Sequence, residues 1–382
     1  MHIVINGWFW DSPTTGSRQY ARRLVQALAA LAPDLRISLI TPSREKQDVP
    51  ARCVLHPVSC SRSNLSKVWF EQVAFPRACA RLGADVAHVP YWAPPLRSSV
   101  PVVVTIHDLI PLVLREYRGG PLQRLYTALV SASARGATMV LTDSQASRQD
   151  ILTILGLPPE RVRAIPLAAG DRYSPLPDRE DEQIRARYDL PHRYVLYLGG
   201  FDVRKNLIAV LTTYRWVGPV IGEDCPLVIA GRLPEQDTAF TPDPRRLIEE
   251  QGGSETYVHF TGFVEEPHTP ALYRGAVAFI FPSRYEGFGF PPLEALACGT
   301  PVVGSDTGSL PEVIGNAGVL LPPDDAEGMA GALIQLATDE GFRAEMSHRA
   351  VTQSARFSWD RTARATLAAY RDAVSGGAVG DA

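Results

Sequence analysis

The most informative stretch of this chain is Ser283-Arg284-Tyr285-Glu286-Gly287-Phe288-Gly289-Phe290-Pro291-Pro292-Leu293-Glu294. A compact apolar run, Ala276 to Phe281, precedes it and predicts a buried strand. The glycines free the backbone after that strand, and the two prolines suit the first turn of a helix. The sequence therefore places Glu286 in the loop at the strand's carboxyl end and Glu294 on the helix that follows.

A carboxylate pair in such a place points to a particular kind of ligand. Open α/β sheets bind ligands beyond the carboxyl ends of their strands. Carboxylates there accept hydrogen bonds from sugar or ribose hydroxyls, and the N–H groups of a helix start favour a phosphate. The combination predicts a nucleotide-sugar site, although two glutamates alone would better fit a glycine-rich turn before an ordinary surface helix.

Length and composition indicate a globular protein of two domains. The 382 residues exceed one ordinary domain, and 45% of them are hydrophobic and 21% charged. There is no apolar run of about 18 residues to span a membrane, and Met1 to Asn6 reads as a strand, not a signal peptide. Five scattered cysteines without a C-x-x-C pair favour a reducing cytoplasm and no bound metal.

Charge is distributed unevenly along the chain. Residues 1–170 carry 19 Lys and Arg against 11 Asp and Glu, a net charge of +8, and the whole chain carries −3, which leaves −11 for the remainder. A basic half suits an anionic partner such as a lipid headgroup, a lipid diphosphate or nucleic acid. Two solvated faces would explain the asymmetry equally well.

Strand and helix patterns alternate through the first half of the chain. The predicted strands are His2–Asn6, Arg36–Thr41, Cys53–Val58, Asp85–Val89, Val102–Ile106, Met139–Thr142 and Val162–Ile165. The predicted helices lie near Ser17–Leu31, Leu65–Leu82, Leu122–Ala134 and Ser144–Leu155. Such alternation predicts a parallel sheet covered by helices.

The alternation resumes after residues 169–190, whose prolines and charges predict an interdomain linker ending in a short helix. Further strands are predicted at Tyr194–Leu198, Leu227–Ala230, Tyr257–Phe260, Val277–Phe281, Val302–Val303 and Val319–Leu321. We therefore expect one domain over residues 1–168, a second over 191–357, and a last amphipathic helix at about 358–374.

A second informative stretch is Tyr197-Leu198-Gly199-Gly200-Phe201-Asp202-Val203-Arg204-Lys205-Asn206. A strand ends here in two glycines, and a helix begins soon after two cations. Arg204 can hold phosphate oxygens in a fork, while Lys205 acts as a mobile point charge. Together these features predict a diphosphate site, whereas the ordinary alternative is a turn with exposed basic residues.

The two stretches together resemble a known family. The first, continued by Cys298-Gly299-Thr300-Pro301-Val302-Val303, looks like the E-x7-E signature of retaining glycosyltransferases with the GT-B fold, in the mannosyltransferase-like branch of family 4. The second matches that family's G-G-x-x-x-R-K-N motif. The resemblance covers nearly the whole chain and implies two Rossmann-like, doubly wound α/β domains facing across a cleft, with the last helix packing back on the first domain.

The segment Val104-Thr105-Ile106-His107-Asp108-Leu109-Ile110-Pro111 resembles the H-D-L-x-P segment of the same family. By that resemblance His107 contacts the transferred sugar beside the anomeric centre, and Asp108 shapes the acceptor side. A histidine taken alone would more often be packed in the core, but its position at the carboxyl end of a strand favours a function.

The loop after the first strand departs from the family's G-x-G-R-Y pattern. Gly16 and Tyr20 are kept, whereas Arg18 stands where the second glycine would be. The resemblance implies that Gly16 lies near the donor and that Arg18 and Tyr20 lie on the acceptor side. Arg18 then either offers charge to a phosphate or lies on the surface.

The resemblance also implies the remaining contacts. Glu294 would bind the ribose, Glu286 and nearby amides the sugar, and the strand end at Phe260–Val264 the nucleobase. The expected donor site comprises Gly16, Gly199, Gly200, Arg204, Lys205, Gly231, Gly262, Val264, Ser283, Glu286, Gly287, Phe288, Gly289, Leu293 and Glu294. The expected catalytic residues are His107, Glu286, Arg204 and Lys205.

The implied reaction is hexose transfer from a nucleoside diphosphate to an acceptor hydroxyl, with retention of configuration. Arg204 and Lys205 would stabilise the leaving diphosphate, so that no metal or cofactor is needed. We expect GDP-mannose as donor and a saccharide, free or linked to polyprenyl diphosphate, as acceptor in polysaccharide, lipopolysaccharide or O-antigen synthesis, with no nucleic acid as partner. The alternatives are a UDP-sugar donor (glucosyl or N-acetylhexosaminyl transfer), a nucleotide-sugar epimerase and a non-catalytic subunit.

Residues 63–82 combine basic and aromatic side chains, namely Lys67, Trp69, Phe70, Phe75, Arg77 and Arg81, with Pro76 bending the helix. Such a helix can lie on a membrane surface or pack in the core while its cations reach solvent. We therefore expect a cytoplasmic protein, with peripheral contact to the anionic inner face of the membrane as an open alternative.

Overall fold

A computed structural model describes residues 1–12, 16–42, 49–250 and 255–377. The chain divides into two compact units, Met1–Leu167 together with Ser358–Ala382, and Ala168–Phe357. The stretch predicted as a linker, 169–190, lies inside the second unit, where Tyr173 and Ile184 are buried.

The described part of the first unit contains a seven-stranded sheet in which neighbouring strands run parallel. Its strands are β1 (His2–Asn6), β2 (Arg36–Thr41), β3 (Cys53–Pro57), β4 (Val86–Val89), β5 (Val102–Thr105), β6 (Met139–Thr142) and β7 (Val162–Ala164). They lie in the order β3-β2-β1-β4-β5-β6-β7. The strand order reverses between β1 and β4, where sheets of this kind bind ligands.

The helices of the first unit connect these strands. They are α1 (Gly16–Leu31), α2 (Asn64–Trp69), α3 (Phe75–Arg81), α4 (Ile110–Val113), α5 (Pro121–Arg135) and α6 (Gln145–Asp150). Ser144 caps α6, because its hydroxyl accepts the N–H of Ser147 at 3.0 Å.

A π turn, Phe70–Ala74, joins α2 to α3 directly before Pro76. Proline lacks an N–H group and its ring collides with the carbonyl four residues earlier, so a wider turn relieves the crowding. Phe70 and Phe75 are completely buried in the core of the first unit. These two aromatic rings are therefore core residues, which corrects their place in the membrane hypothesis, whereas Trp69 is exposed.

The second unit repeats the architecture with a six-stranded sheet among its described residues. Its strands are β8 (Val195–Leu198), β9 (Leu227–Ala230), β10 (Val258–Gly262), β11 (Ala278–Phe281), β12 (Val302–Ser305) and β13 (Gly318–Leu321), in the order β10-β9-β8-β11-β12-β13. All neighbours run parallel. Here the strand order reverses between β8 and β11.

Helices cover this second sheet as well. They are α7 (Asp181–Arg187), α8 (Leu207–Ile221), α9 (Pro244–Glu250), α10 (Thr269–Gly275), α11 (Phe290–Ala297), α12 (Leu310–Ile314), α13 (Ala326–Thr338) and α14 (Glu340–Ser354). Strands β9, β11 and β12 are buried along their whole length. Because both faces of a parallel sheet are covered, such strands appear in the sequence as apolar runs without alternation.

The last helix, α15 (Trp359–Gly377), returns to the first unit and packs on α1. The hydroxyl of Thr362 donates to the carbonyl of Pro166 at 2.7 Å, and the hydroxyl of Tyr370 lies 2.7 Å from Nδ1 of His88. Within the described residues, no helix combines the length and the apolar character that a bilayer crossing requires.

Candidate active site

Two cations and a carboxylate meet beyond the neighbouring strands β8 and β11. Arg204 and Lys205 lie in a 3₁₀ turn after β8, and Glu286 lies in the loop after β11. The Nη1 atom of Arg204 is 2.6 Å and the Nζ atom of Lys205 2.7 Å from the same oxygen, Oε1 of Glu286. The two stretches singled out in the sequence therefore form one ionic cluster.

This ionic cluster (Arg204, Lys205 and Glu286) is largely withdrawn from water, with side chains 13%, 12% and 11% exposed. Burial by itself would raise the pKa of Glu286, but the positive charges of Lys205 and Arg204 outweigh it and hold that pKa below its ordinary value. Glu286 is therefore ionised at neutral pH. The three side chains carry one net positive charge, which is offset by the carboxylate of Asp202, 3.6 Å from Nε of Arg204.

Ser283 orients the glutamate. Its hydroxyl donates to Oε1 of Glu286 at 2.7 Å. Its own carbonyl accepts hydrogen bonds from the hydroxyls of Ser305 and Thr307, at the end of β12. Because Ser283 is completely buried, it supports Glu286 from behind in this structure and does not itself face solvent.

The loop that carries Glu286 is also fixed by two residues that the sequence analysis missed. The hydroxyl of Ser309 donates to the carbonyls of Glu286 and Phe288, at 3.0 and 2.6 Å. A Cβ atom on Gly308, whose φ is +57°, would lie 2.9 Å from the carbonyl oxygen of Glu286. The available signal was the Thr-Gly-Ser run that follows β12 in the sequence.

Glycine is needed at two further points of this site. Gly289 has a φ of +104° and directly precedes α11, with Pro291 and Pro292 in the first turn, as predicted. A Cβ atom on Gly231 would lie 2.4 Å from the carbonyl oxygen of Gly199. The ends of β8 and β9 can therefore approach this closely only without a side chain at residue 231.

The other residues of the expected donor site lie around the same strand ends. Gly199 and Gly200 follow β8, Gly262 ends β10 with a φ of +70°, and Val264 lies two residues further on. Gly287 lies in the loop between Glu286 and Phe288. The side chains of Val264, Phe288 and Leu293 are buried.

Glu294 lies on α11, one helical turn beyond its start, and is partly buried. The hydroxyl of the completely buried Tyr273 donates to its Oε2 atom at 3.4 Å. This hydrogen bond connects the partly buried carboxylate of Glu294 to a core residue of the second unit.

In the first unit, three neighbouring strands position His107. The residue follows β5, and its Nδ1 atom lies 2.6 Å from Oδ2 of Asp143, which follows β6. Its Nε2 atom lies 3.3 Å from the carbonyl oxygen of Pro90, which follows β4. Asp143 was missed in the sequence, where the only signal is an acid directly after the apolar strand β6.

Tyr20 packs against this histidine. Its ring meets that of His107 edge-on at 4.9 Å, and its hydroxyl lies 2.9 Å from Oγ1 of Thr105. Tyr20 is buried, so in this structure its side chain faces His107 and not solvent.

The remaining residues of the expected acceptor side have local partners. The Nε atom of Arg18 donates to the carbonyl of Trp10 at 3.3 Å, and Oδ1 of Asp108 accepts the N–H of Ile110 at 3.0 Å, at the start of α4. Gly16 begins α1, where a Cβ atom would meet no other atom within 4 Å. Residues 13–15 of the same loop lie outside the described residues.

The charged groups of the second unit's site suit an anion. Among the residues that the structure describes, no three His, Cys, Asp or Glu side chains cluster as ligands for a metal ion. The cations of the site are the side chains of Arg204 and Lys205, on the turn after β8.

Two Rossmann-like units, each with a parallel sheet whose strand order reverses, have the architecture of the GT-B fold. Residues 14–168 match the family model described as Glycosyltransferase Family 4, and residues 192–339 match the model described as Glycosyl transferases group 1. The chain belongs to the family 4 glycosyltransferases, and it is an enzyme that transfers glycosyl groups.

Similar proteins are found among enzymes of O-antigen synthesis. O-antigen chain mannosyltransferase B of Escherichia coli is 32% identical over 270 residues, which cover 70% of each chain. The serotype-specific mannosyltransferase WbdA of Escherichia coli is 34% identical over 273 residues, which cover 70% of this chain but 33% of WbdA. This chain thus spans about a third of WbdA.

Among solved structures, the sucrose-phosphate synthase of Thermosynechococcus elongatus aligns with a TM-score of 0.75. The alignment covers 98% of this chain and 99% of the synthase at 21% sequence identity. At this identity the similarity is one of fold.

Proposed function

We propose that the protein transfers mannose from GDP-mannose to a hydroxyl group of a saccharide acceptor in polysaccharide synthesis, with retention of configuration. The observation that carries the proposal is the ionic cluster, in which Arg204 and Lys205 share one oxygen of Glu286. The names of the two mannosyltransferases similar to this chain support the choice of sugar and of pathway.

The second unit binds the donor. Arg204 and Lys205 contact the diphosphate and stabilise the negative charge that grows on it as the bond to the sugar breaks. Glu286 accepts hydrogen bonds from hydroxyl groups of the sugar, and Glu294 accepts them from the ribose. The strand ends at Gly231 and Gly262 contact the nucleobase through their backbone.

The first unit supplies His107, which contacts the transferred sugar, and it binds the acceptor near Asp108 and Arg18. The acceptor is a saccharide, either free or linked to a polyprenyl diphosphate. The departing diphosphate takes the proton of the acceptor hydroxyl, so no side chain has to act as general base.

No metal or cofactor takes part in this proposal. The positive charges of Arg204 and Lys205 neutralise the diphosphate, which is the task that a divalent cation performs in other enzymes. The two cations lie side by side on the turn after β8 with largely buried side chains, so they need little reorganisation during the reaction.

We further propose that the enzyme works in the cytoplasm in peripheral contact with an anionic membrane, through α2 and α5. Four apolar side chains of these helices are exposed, namely Leu65 (84%), Trp69 (45%), Leu122 (83%) and Leu125 (69%). Lys67 of α2 lies 4.8 Å from the ring centre of Tyr126 in α5, so the two helices are neighbours. The positive net charge of residues 1–170 suits an anionic surface.

A ligand panel tests the proposed donor. GDP and GDP-mannose should raise the thermal stability more than UDP, ADP or their sugars. A ligand at one hundred times its dissociation constant adds about 2.7 kcal/mol to the free energy of unfolding, so binding is readily detected. Incubation of GDP-mannose with a mannose-terminated oligosaccharide should then give GDP and an α-linked product. Stabilisation by UDP-sugars alone would refute the donor, and conversion of the nucleotide sugar without an acceptor would indicate an epimerase.

A further inference from the structure

Two buried histidines of the first unit differ in the groups that surround them. His88, on β4, lies between two hydroxyls, with Nε2 2.9 Å from Oγ1 of Thr105 and Nδ1 2.7 Å from the hydroxyl of Tyr370. A hydroxyl can donate or accept a hydrogen bond, so these partners fit a neutral imidazole. Burial, followed by the charge of His107, lowers the pKa of His88 to about 3.

His107 lies instead between two acceptors. The carbonyl oxygen of Pro90 can only accept, so Nε2 of His107 carries a hydrogen atom. The other nitrogen, Nδ1, faces the carboxylate of Asp143 at 2.6 Å. An ionised carboxylate also only accepts, and both ring nitrogens then carry a hydrogen atom, as in an imidazolium ion.

Asp143 is a buried carboxylate that is paired with His107. Its side chain is 4% exposed, and within the described residues its Oδ1 atom has no hydrogen-bond partner. A buried carboxylate is costly unless it is paired, and the partner of this one is His107. The hydroxyl of Ser147, in the helix that follows Asp143, also donates to the backbone carbonyl of His107 at 3.1 Å. One segment thus holds both the ring and the backbone of the histidine.

We infer that Asp143 is a positioning residue that keeps His107 as an imidazolium ion, with Nε2–H as the hydrogen-bond donor offered to the transferred sugar. This inference rests on the proposed function, which assigns the sugar contact to His107. The bond from Nε2 to Pro90 is long, at 3.3 Å, and the His107 side chain is 21% exposed, so a sugar oxygen can replace the carbonyl as acceptor. A cation of this kind donates a hydrogen bond and cannot take the acceptor's proton.

The charged groups around His107 also favour its protonated form. Burial opposes protonation, but the charges of Asp143 and Asp108, together with the hydrogen bonds to Asp143 and Pro90, raise the pKa of His107 above its ordinary value. Among the residues that the structure describes, His88 from β4 and Tyr20 from α1 also face it, and both are neutral near pH 7. Burial raises the pKa of Asp143 while His107 lowers it, so the pair can also exist as a neutral imidazole with a protonated carboxyl.

NMR of the full-length protein with ¹⁵N-labelled histidine distinguishes the two forms. We expect both ring nitrogens of His107 to have imidazolium shifts at pH 7.5, with His88 neutral in the same spectrum as an internal reference. The signals are assigned with His107→Gln. Neutral shifts for His107 at this pH would overturn the inference, and this measurement requires no variant of Asp143.

The variant Asp143→Asn keeps an oxygen that can accept from Nδ1–H but removes the charge. We expect the midpoint of the His107 titration to fall by at least about one pH unit, because the negative charge that stabilises the imidazolium ion is gone. A shift of that size changes the ratio of protonated to neutral His107 tenfold at a given pH. The value of kcat should then fall as the pH rises from 6 to 8, whereas that of the wild type stays level. Tyr370→Phe, which alters the partner of His88 only, should leave the His107 titration unchanged.

The two hypotheses fail in different ways. If His107→Gln leaves transfer intact, the proposed sugar contact is wrong, and the inference about its use falls with it, while the NMR titration still decides the state of the pair. If Asp143→Asn leaves the His107 titration unchanged, Asp143 does not set the charge of the histidine, whatever the activity of the variant.

Discussion

At the scale of single residues, one oxygen of Glu286 is shared by Arg204 and Lys205, which gives this residue a double role in the proposed mechanism. A diphosphate that binds the two cations competes with this oxygen. Its arrival would release the carboxylate to accept hydrogen bonds from the sugar. In the proposed mechanism, binding of the diphosphate therefore frees Glu286 for its contact with the sugar. Substitutions in the ionic cluster should then affect the binding of free nucleotide and the use of the intact donor differently.

Glu286→Gln and Lys205→Met test this competition. We expect Glu286→Gln to bind GDP as tightly as the wild type or more tightly, because the competing charge is gone, while kcat falls by roughly 10²–10³-fold. Lys205→Met should weaken GDP binding and reduce kcat together. Calorimetry with GDP and initial rates with GDP-mannose measure the two effects.

Arg187→Met is a matched control for these variants, since it removes a cation from an exposed ion pair of the same unit, with Glu265. It should change neither GDP binding nor rate. Equal loss of GDP binding in Glu286→Gln and Lys205→Met would contradict the competition.

Acid should weaken the ionic cluster in a defined range of pH. The pKa of Glu286 is held below its ordinary value of 4.5 in the folded protein. Its ionisation therefore stabilises the fold above that pH, and the contribution disappears as the pH falls through the lower folded value. In urea unfolding, Glu286→Gln should be less stable than the wild type at pH 7, and the difference should shrink towards pH 3. A difference that is constant with pH would exclude this origin.

At the scale of elements, the segment from α2 to α3 contains both core residues and exposed apolar residues, and its neighbour α5 adds further exposed ones. Phe70 and Phe75 lie in the core, whereas Leu65 and Trp69 of the same segment, with Leu122 and Leu125 of α5, are exposed. Substitution of the exposed set should therefore separate membrane binding from stability.

The double variant Trp69→Ser/Leu122→Ser should lose binding to vesicles that contain anionic lipid, with little change in stability. Wild-type binding should itself weaken as salt is raised, because exposed charges are screened. Phe70→Ala should instead destabilise the protein by about 3–5 kcal/mol, as expected for a buried phenylalanine. Sedimentation with vesicles and urea unfolding measure the two properties. Wild-type protein that does not bind the vesicles would refute the membrane proposal.

The elements themselves were largely predictable from the sequence. The strand predicted at Val102–Ile106 is observed at Val102–Thr105, and the helix predicted at Leu122–Ala134 is observed at Pro121–Arg135. Buried parallel strands are continuous apolar runs bounded by turns, which makes them easy to locate. The π turn at Phe70–Ala74 was not predicted, because Pro76 indicates a disturbance of the helix but not its form.

The contacts between stretches that are distant in the sequence were harder to predict. Lys205 and Glu286 are 81 residues apart in sequence, and they meet because β8 and β11 are neighbours in the sheet. Neither stretch encodes that order locally, and only the resemblance to a family placed them in one site. Asp143 lies in no recognisable motif, so its contact with His107 became visible only from the neighbouring positions of β5 and β6.

At the scale of the whole molecule, the absence of a metal from the proposed reaction predicts insensitivity to chelators. We expect transfer from GDP-mannose to proceed at an unchanged rate in EDTA, because Arg204 and Lys205 supply the positive charge. Added Mg²⁺ or Mn²⁺ should raise the rate less than about twofold. Loss of activity in EDTA that is restored by a divalent ion would contradict the proposal, and Lys205→Met with and without Mg²⁺ shows whether a metal can replace the side chain.

The division of the chain predicts how it can be cut. The second unit, Ala168–Phe357, is continuous in sequence, whereas the first also needs the segment from Ser358 onward. We therefore expect residues 168–357 to fold and bind GDP when expressed alone. Residues 1–167 alone should aggregate, since the surfaces of α1 and His88 that α15 covers would be open to water. Circular dichroism and gel filtration check both fragments, and a monomeric, cooperatively unfolding 1–167 would show that α15 is dispensable.

The position of α15 also matters while the protein is being made. A ribosome releases the first sheet early, yet the helix that closes it emerges only after about 190 further residues have been synthesised. During that interval the surface of the first unit that α15 covers stays open to solvent, whereas the second unit can already be complete. Chaperone capture should therefore concentrate on ribosome-bound chains that stop before Trp359 and decline once that helix has left the exit tunnel.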